Sequence, residues 1–453
     1  MTQRPRVVGI VAGAGSLPRE IAAHVMARGD LVHIVSIAGE GDDTDLESFP
    51  LTRVGWAQIG RLLRALRNAS VSELVIVGAV RRPDVASLRP DFGVITNMPA
   101  VLRILRTGGD DSILSRIVRF FESKGFKVVS PVDVMPSLRV GAGPLGQQRM
   151  TAPDRADVAL GFDVVRALGP FDIGQAVVVS DGRIAAIEGA ENTDAMLARL
   201  VKPPKPQHNM PTQGLSQDDA TGAASTTGRR GVLVKRPKPR QEMRVDLPAI
   251  GPQTVARALE AGLRGVAVLA DGAIALERDE LARAADLAEM FVEGVPDHGR
   301  VPPAAVQAEY RAFAAVGKHK PSSQQSVDGI KAADALTALR PYARSEGAVI
   351  DRGHILAIAC GEGHEALVSR AGRLRQWGRK SRRQPTAIAV VEVQHRDELA
   401  ELLACAEANR IAGVAVLGMC VADVAPYIAQ ADSLGLVLLV EETDRHIKEE
   451  CAR

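Results

Sequence analysis

Short apolar runs alternate with amphipathic stretches along most of the chain. Val7-Val8-Gly9-Ile10-Val11-Ala12 closes on Gly13-Ala14-Gly15, and Leu17, Ile21 and Val25 then recur at helical spacing. That pattern predicts a strand, a glycine turn and a helix. The alternation returns with a strand over 31–37, a helix lined by Ile59, Leu62, Leu63 and Leu66, and a buried strand over 74–77. Ile113, Leu114, Ile117, Val118 and Phe121 line a further helix before a strand over 126–129. Strands alternating with helices pair in parallel through right-handed crossovers, so residues 1–135 read as a Rossmann-like, doubly wound α/β domain. Its ligand crevice is expected at the carboxyl ends of the strands, where Gly13-Ala14-Gly15 and Gly78-Ala79-Val80-Arg81-Arg82-Pro83 fall.

A Pro/Gly-rich joint over 136–144 leads into a second α/β pattern, residues 145–294, with a helix over 157–168 and strands over 176–179, 184–187 and 232–234. Residues 203–230, rich in Pro, Gln, Ser, Thr and Gly, are expected to be a disordered insertion within it. Residues 295–326 read as a linker with a short helix over 306–313. Residues 163–199 align without a gap to 334–370 and agree at 12 of 37 positions, among them Asp163 with Asp334, Pro170 with Pro341, Gly182 with Gly353 and Glu191 with Glu362. Gly265-Val266-Ala267-Val268-Leu269 then matches Gly413-Val414-Ala415-Val416-Leu417 in the same order. Coincidence does not explain two matches in register, so residues 327–453 are expected to be a diverged copy of the second domain.

Composition narrows the partners. Aromatic residues make up 3 % of the 453, too few for base-stacking platforms, and 56 Lys plus Arg nearly balance 54 Asp plus Glu. No overall attraction to nucleic acid follows, and an anionic ligand has to be met by a local patch. Four cysteines, Cys360, Cys405, Cys420 and Cys451, lack metal-site spacing and read as buried or incidental thiols. The first apolar run is too short for a signal-peptide core and no 18-residue apolar stretch follows, so a cytoplasmic protein is expected.

Gly13 and Gly15 after a strand suit phosphate or sugar-nucleotide contact through backbone N–H groups better than a nicotinamide dinucleotide site, because the third glycine of that fingerprint is missing; a mere tight turn is the remaining alternative. Arg81 and Arg82 at a strand end suit a diphosphate clamp or a solvated loop. Gly108-Gly109-Asp110-Asp111 reads first as a helix cap, with metal or substrate contact as the lesser alternative. Lys235-Arg236-Pro237-Lys238-Pro239-Arg240 runs within a few residues into Asp246-Leu247-Pro248-Ala249-Ile250-Gly251-Pro252. Prolines there hold several cations near one carboxylate that can bind Mg²⁺ or direct water. Glu188, Glu191, Thr193 and Asp194 form a second polar cluster, part of which a capping box on Thr193 explains.

These segments, with Asp172-Ile173-Gly174-Gln175 and Thr107 to Asp111, resemble the UDP-2,3-diacylglucosamine pyrophosphatases of lipid A biosynthesis that are not calcineurin-like, over about residues 5–294. The resemblance implies Mg²⁺-dependent hydrolysis at the inner face of the cytoplasmic membrane, giving UMP and 2,3-diacylglucosamine 1-phosphate, at a site between two α/β domains. It places the essential, metal-binding aspartate at Asp246. Gly13, Gly15, Arg81, Arg82, Thr193, Asp194, Lys235 and Lys238 are then substrate contacts by position and charge.

Two departures qualify it. Asn192 stands where the family carries glycine. The C-terminal copy lacks the basic run and the aspartate motif, with Gln394-His395-Arg396-Asp397 in that place, and is expected not to catalyse. It can replace a contact made between subunits, altering a homo-oligomer, or dock to anionic lipid through Arg373, Arg375, Arg379, Lys380, Arg382 and Arg383; an ordinary solvated basic loop is the simpler reading of those residues. A non-catalytic sugar-nucleotide or lipid-phosphate binder is the competing function, and a nicotinamide oxidoreductase a more distant one.

Overall fold

The structure is a computed structural model that describes residues 5–39, 43–80, 91–97, 110–201, 228–239, 241–297, 311–375, 385–393 and 395–442. Arg81, Arg82, Gly108, Gly109, residues 203–227 of the expected insertion, residues 306–310 of the expected helix, and Arg379, Lys380, Arg382 and Arg383 lie outside the described residues.

Strands β1 (Val7–Ala12), β2 (Leu31–Ile37), β3 (Leu51–Val54), β4 (Glu73–Val77) and β5 (Lys127–Val128) form a sheet of order β3-β2-β1-β4-β5. Every pairing in it is parallel. Helices α1 (Leu17–Ala27), α2 (Ile59–Asn68) and α3 (Asp110–Ser123) supply the crossovers. Ile10, Ile21 and Ile34 are wholly buried, each contributing about 1.5–3 kcal/mol. Strand β3 was not legible in the pattern, because this short edge strand buries only Val54.

The second sheet contains β6 (Gly143–Pro144), β7 (Ala176–Ser180), β8 (Arg183–Ile187), β9 (Val232–Lys235), β11 (Gly265–Leu269) and β13 (Phe291–Val295), in the order β6-β13-β11-β9-β7-β8. Its helices are α4 (Ala152–Leu168), α5 (Thr193–Val201), α6 (Pro252–Glu260) and α7 (Arg278–Leu287). A parallel pair of short strands, β10 (Ala249–Ile250) and β12 (Ile274–Ala275), stands apart from it. Ile274 belongs to the core of the first sheet, and Leu247 and Ala249 pack against that core. Val245 packs on the cluster under α2 and α3, Arg244 pairs with Glu122 at 2.7 Å, and the Ser130 hydroxyl donates to the Met243 carbonyl at 3.3 Å. The segment carrying Asp246 therefore lies between the two sheets, gripped from the N-terminal side.

The third sheet runs β14 (Phe313–Val316), β19 (Val437–Glu441), β18 (Gly413–Leu417), β17 (Ile388–Glu392), β15 (Gly347–Asp351), β16 (His354–Ile358), the same order as the second. Helix α8 (Ser323–Leu339) matches α4 end for end, and α9 (His364–Arg375), α10 (Glu398–Ala408) and α11 (Ile428–Ser433) follow. Even the turn chemistry repeats. Asp157 accepts from the amides of Asp181 at 3.1 Å and Gly182 at 2.7 Å, and Asp328 accepts from Gly353 at 2.8 Å. Asp181-Gly182 and Arg352-Gly353 all have positive φ, as a tight hairpin between twisted strands requires.

The segment expected as linker and helix departs from that expectation. Phe313–Val316 pairs antiparallel with β19 as an edge strand, and α8 begins at Ser323, capped by the Ser322 hydroxyl accepting from the Gln325 amide. Ser322-x-x-Gln325 is a capping signature hidden in a polar stretch. Cys360, Cys405 and Cys420 are free thiols. Among the described residues no helix is long and apolar enough to cross a membrane.

Candidate active site

Lys235 ends β9, a strand flanked by β7 and β11, and is 5 % exposed. Its Nζ donates to the Ala249 carbonyl at 3.0 Å, tying the strand end to the segment after Asp246. Glu188 follows β8 and is equally enclosed at 6 %. One carboxylate oxygen accepts from the Gln175 amide at 2.8 Å and the other from the Thr193 hydroxyl at 2.8 Å. Gly174 makes this approach possible, because a Cβ there would stand 2.2 Å from the Glu188 carbonyl oxygen.

Gln241 organises the rest. Its Oε1 accepts from the Lys238 amide at 2.7 Å, and its Nε2 donates to Gln175 Oε1 at 2.9 Å and to Asp246 Oδ2 at 2.6 Å. The Asp246 amide donates to the Glu242 carbonyl at 3.0 Å, closing a turn that presents the carboxylate. Lys238 Nζ pairs with Asp172, whose backbone is left-handed at φ 60°. Arg236 turns the other way, its guanidinium 5.6 Å from the Phe162 ring centroid and 3.3 Å from Asp297.

Burial opposes both charges at the centre. It lowers the Lys235 ammonium pKa, against the pull of Glu188, Asp194 and Asp246. It raises the Glu188 carboxyl, against the pull of Lys235. One buried cation thus lies in the field of three acids, Glu188, Asp194 and Asp246, an arrangement common at functional sites.

The structure brings Asp246, Lys235, Lys238, Thr193 and Asp194 into one neighbourhood. Thr193 spends its hydroxyl on Glu188; the Asn192 side chain caps α5 instead, accepting from the Ala195 amide at 2.8 Å, so Thr193 is not the cap. Gly13 lies in the turn after β1 and its amide donates to the Val77 carbonyl at 2.8 Å. A Cβ on it would be 2.4 Å from the Ala79 carbonyl oxygen, which gives this glycine a packing reason. Gly15 has φ 108°, and among the described residues nothing stands within 4 Å of where its Cβ would be. Ala14 and Ala79 exchange two backbone hydrogen bonds, of 2.8 and 2.9 Å, stitching the ends of β1 and β4 where the sheet's order reverses. Gln175 and Gln241 were missed by sequence reasoning, since a neutral amide in a loop carries no pattern. A crevice of about 430 Å³ also opens between the first two sheets, lined by Glu20, Met135, Glu277 and Arg278, but none of the described candidate residues lines it.

Fold and site together define a multi-sheet α/β protein whose acid–base cluster is held at the junction of a Rossmann-like sheet and a second α/β sheet. A model of the LpxI N-terminal domain matches residues 7–138 and one of the LpxI C-terminal domain matches residues 141–293. UDP-2,3-diacylglucosamine pyrophosphatase LpxI of Caulobacter vibrioides is 35 % identical over 295 residues, covering 99 % of that protein and 65 % of this chain. The chain belongs to the LpxI family. Both family domains end by residue 293, so the third sheet lies beyond them. A solved murein peptide ligase from Psychrobacter arcticus aligns over 99 % of this chain and 93 % of its own at 11 % identity, with a TM-score of 0.20, too low for a shared fold.

Proposed function

We propose that this chain hydrolyses the pyrophosphate bond of UDP-2,3-diacylglucosamine in lipid A biosynthesis, giving UMP and 2,3-diacylglucosamine 1-phosphate, with Asp246 as the central carboxylate. The observation that carries the reading is the Gln241–Asp246 hydrogen bond of 2.6 Å beside the buried Lys235. A diphosphate needs cations to neutralise it and a fixed carboxylate to direct water or metal, and the site offers both. Gln241 orients Asp246 through Oδ2. Lys235, held in a dry setting, meets a phosphate oxygen far more strongly than an exposed lysine does. Asp172 holds Lys238 at the rim, and Glu188 with Thr193 fixes the opposite wall.

Mg²⁺ is part of the proposal. Among the described residues no three of His, Cys, Asp or Glu form a cage for a metal ion. That fits an ion bound through one carboxylate, waters and substrate phosphates, which is the usual habit of Mg²⁺. Asp246 would hold it, and the ion would neutralise charge on the diphosphate. The lipid substrate is met at the inner membrane surface.

The test is UMP release from UDP-2,3-diacylglucosamine by the full chain with Mg²⁺, beside Asp246→Ala and an EDTA control. UMP from wild type with metal, and from neither control, is expected. A folded wild type that binds the substrate and releases nothing would replace this reading with the binding-protein one.

A further inference from the structure

The contact between the second and third sheets is a near-twofold one. Helices α4 and α8 share one core: Val158, Phe162 and Val165 lie in the same cluster as Ala332, Leu336 and Leu339. At its edge Arg199 pairs with Glu191 of its own half at 3.1 Å and with Glu362 of the other at 3.0 Å. Arg370 pairs with Glu362 of its own half and with Glu191 of the other at 3.3 Å. The Ile187 and Ile358 carbonyls each accept from the arginine of their own half, at 2.8 and 2.9 Å. Glu191 and Glu362, Arg199 and Arg370, and Ile187 and Ile358 are corresponding positions of the repeat, so each residue meets the counterpart of its own partner. Self-complementary pairing of this kind is the signature of an isologous dimer interface, here made within one chain.

The contact reaches the site. Glu188 faces Lys235; the next residue, Gly189, lies so close to the copy that a Cβ would be 2.2 Å from the Leu356 carbonyl oxygen. The Ala190 amide donates to that carbonyl at 2.9 Å, and Glu191 enters the ion network. Among its described residues the copy lacks counterparts of the candidate site. Pairing with β18 puts Val391 where β9 has Lys235, the repeat puts Ala359 at the place of Glu188, and only 393–397 separate β17 from α10 where the aspartate segment would lie.

We propose that residues 313–442 are a built-in partner subunit, which grips residues 189–191 through a twofold contact that a second chain would otherwise supply and thereby positions Glu188 and Thr193. The positioning role rests on the reading of the Glu188–Lys235–Asp246 cluster as the active site. Glu191, Arg199, Glu362 and Arg370 are positioning residues.

The experiment uses three full-length variants. Glu362→Arg/Arg370→Glu keeps the pair within the copy but sets like charges across the contact. The same exchange made in both halves, adding Glu191→Arg/Arg199→Glu, restores opposite charges. Arg370→Gln removes one crossing pair without repulsion. Hydrogen exchange of peptides spanning 186–196 is followed beside kcat and KM for UMP release. The two-residue exchange is expected to speed that local exchange and lower kcat, each by about tenfold, with Arg370→Gln intermediate and the four-residue exchange recovering most of both. Wild-type exchange and kcat in Glu362→Arg/Arg370→Glu would overturn the proposal, as would equal losses without recovery in the four-residue variant. If wild type releases no UMP while the exchange pattern breaks and recovers, the built-in contact stands and the pyrophosphatase reading falls.

Discussion

Lys235 and Glu188 show how one residue sets the chemistry of another. Burial lowers the Lys235 pKa, and Glu188, Asp194 and Asp246 hold it up. Glu188→Gln removes one upward pull, so the lysine pKa falls further and its proton is lost at lower pH. The alkaline limb of kcat/KM is therefore expected to move to lower pH in Glu188→Gln, measured as a pH–rate profile beside wild type; an unmoved limb would show that the ammonium takes no part. Lys235, Lys238 and Asp246 were legible in the sequence because Pro237, Pro239 and Pro248 confine them to one short run. Gln241 and Gln175, which join Asp246 to the Glu188 wall, were not, because what they contribute is geometry rather than charge. Thr193 was legible as a polar residue at a helix start, but its partner depended on Asn192 taking over the cap.

At the scale of elements, the repeat was the most readable feature, since burial on the same faces keeps apolar positions in register long after polar ones diverge. Matching ends of α4 and α8 are the structural form of that register. Among the elements missed were β3 and β14, short edge strands; β14 in addition pairs with a partner far away in sequence, Phe313 with Glu441. The start of α8 rests on Ser322, which accepts from the Gln325 amide at 3.3 Å while Gln325 Oε1 accepts from the Ser322 amide at 2.8 Å. Ser322→Ala is expected to cost about 1 kcal/mol, read as a lower denaturant midpoint at unchanged slope. No shift would mean that the helix start draws its stability from packing alone.

For the whole molecule, the family's two domains account for residues 7–138 and 141–293, and the third sheet covers the face of the second through α4 and α8. A chain that already carries its own partner has no need of another there. Light scattering of the full chain is expected to give one 48.0 kDa copy across the micromolar range; a two-chain mass that depends on Arg199 would contradict this. The central claim is that Asp246 serves the chemistry rather than the fold. Asp246→Asn retains an oxygen to accept the Gln241 hydrogen bond and removes the charge. The decisive measurement is its rate of UMP release from UDP-2,3-diacylglucosamine beside wild type, with both melting temperatures recorded. A rate lower by about a hundredfold or more at an unchanged melting temperature is predicted. A rate within twofold of wild type would contradict the account.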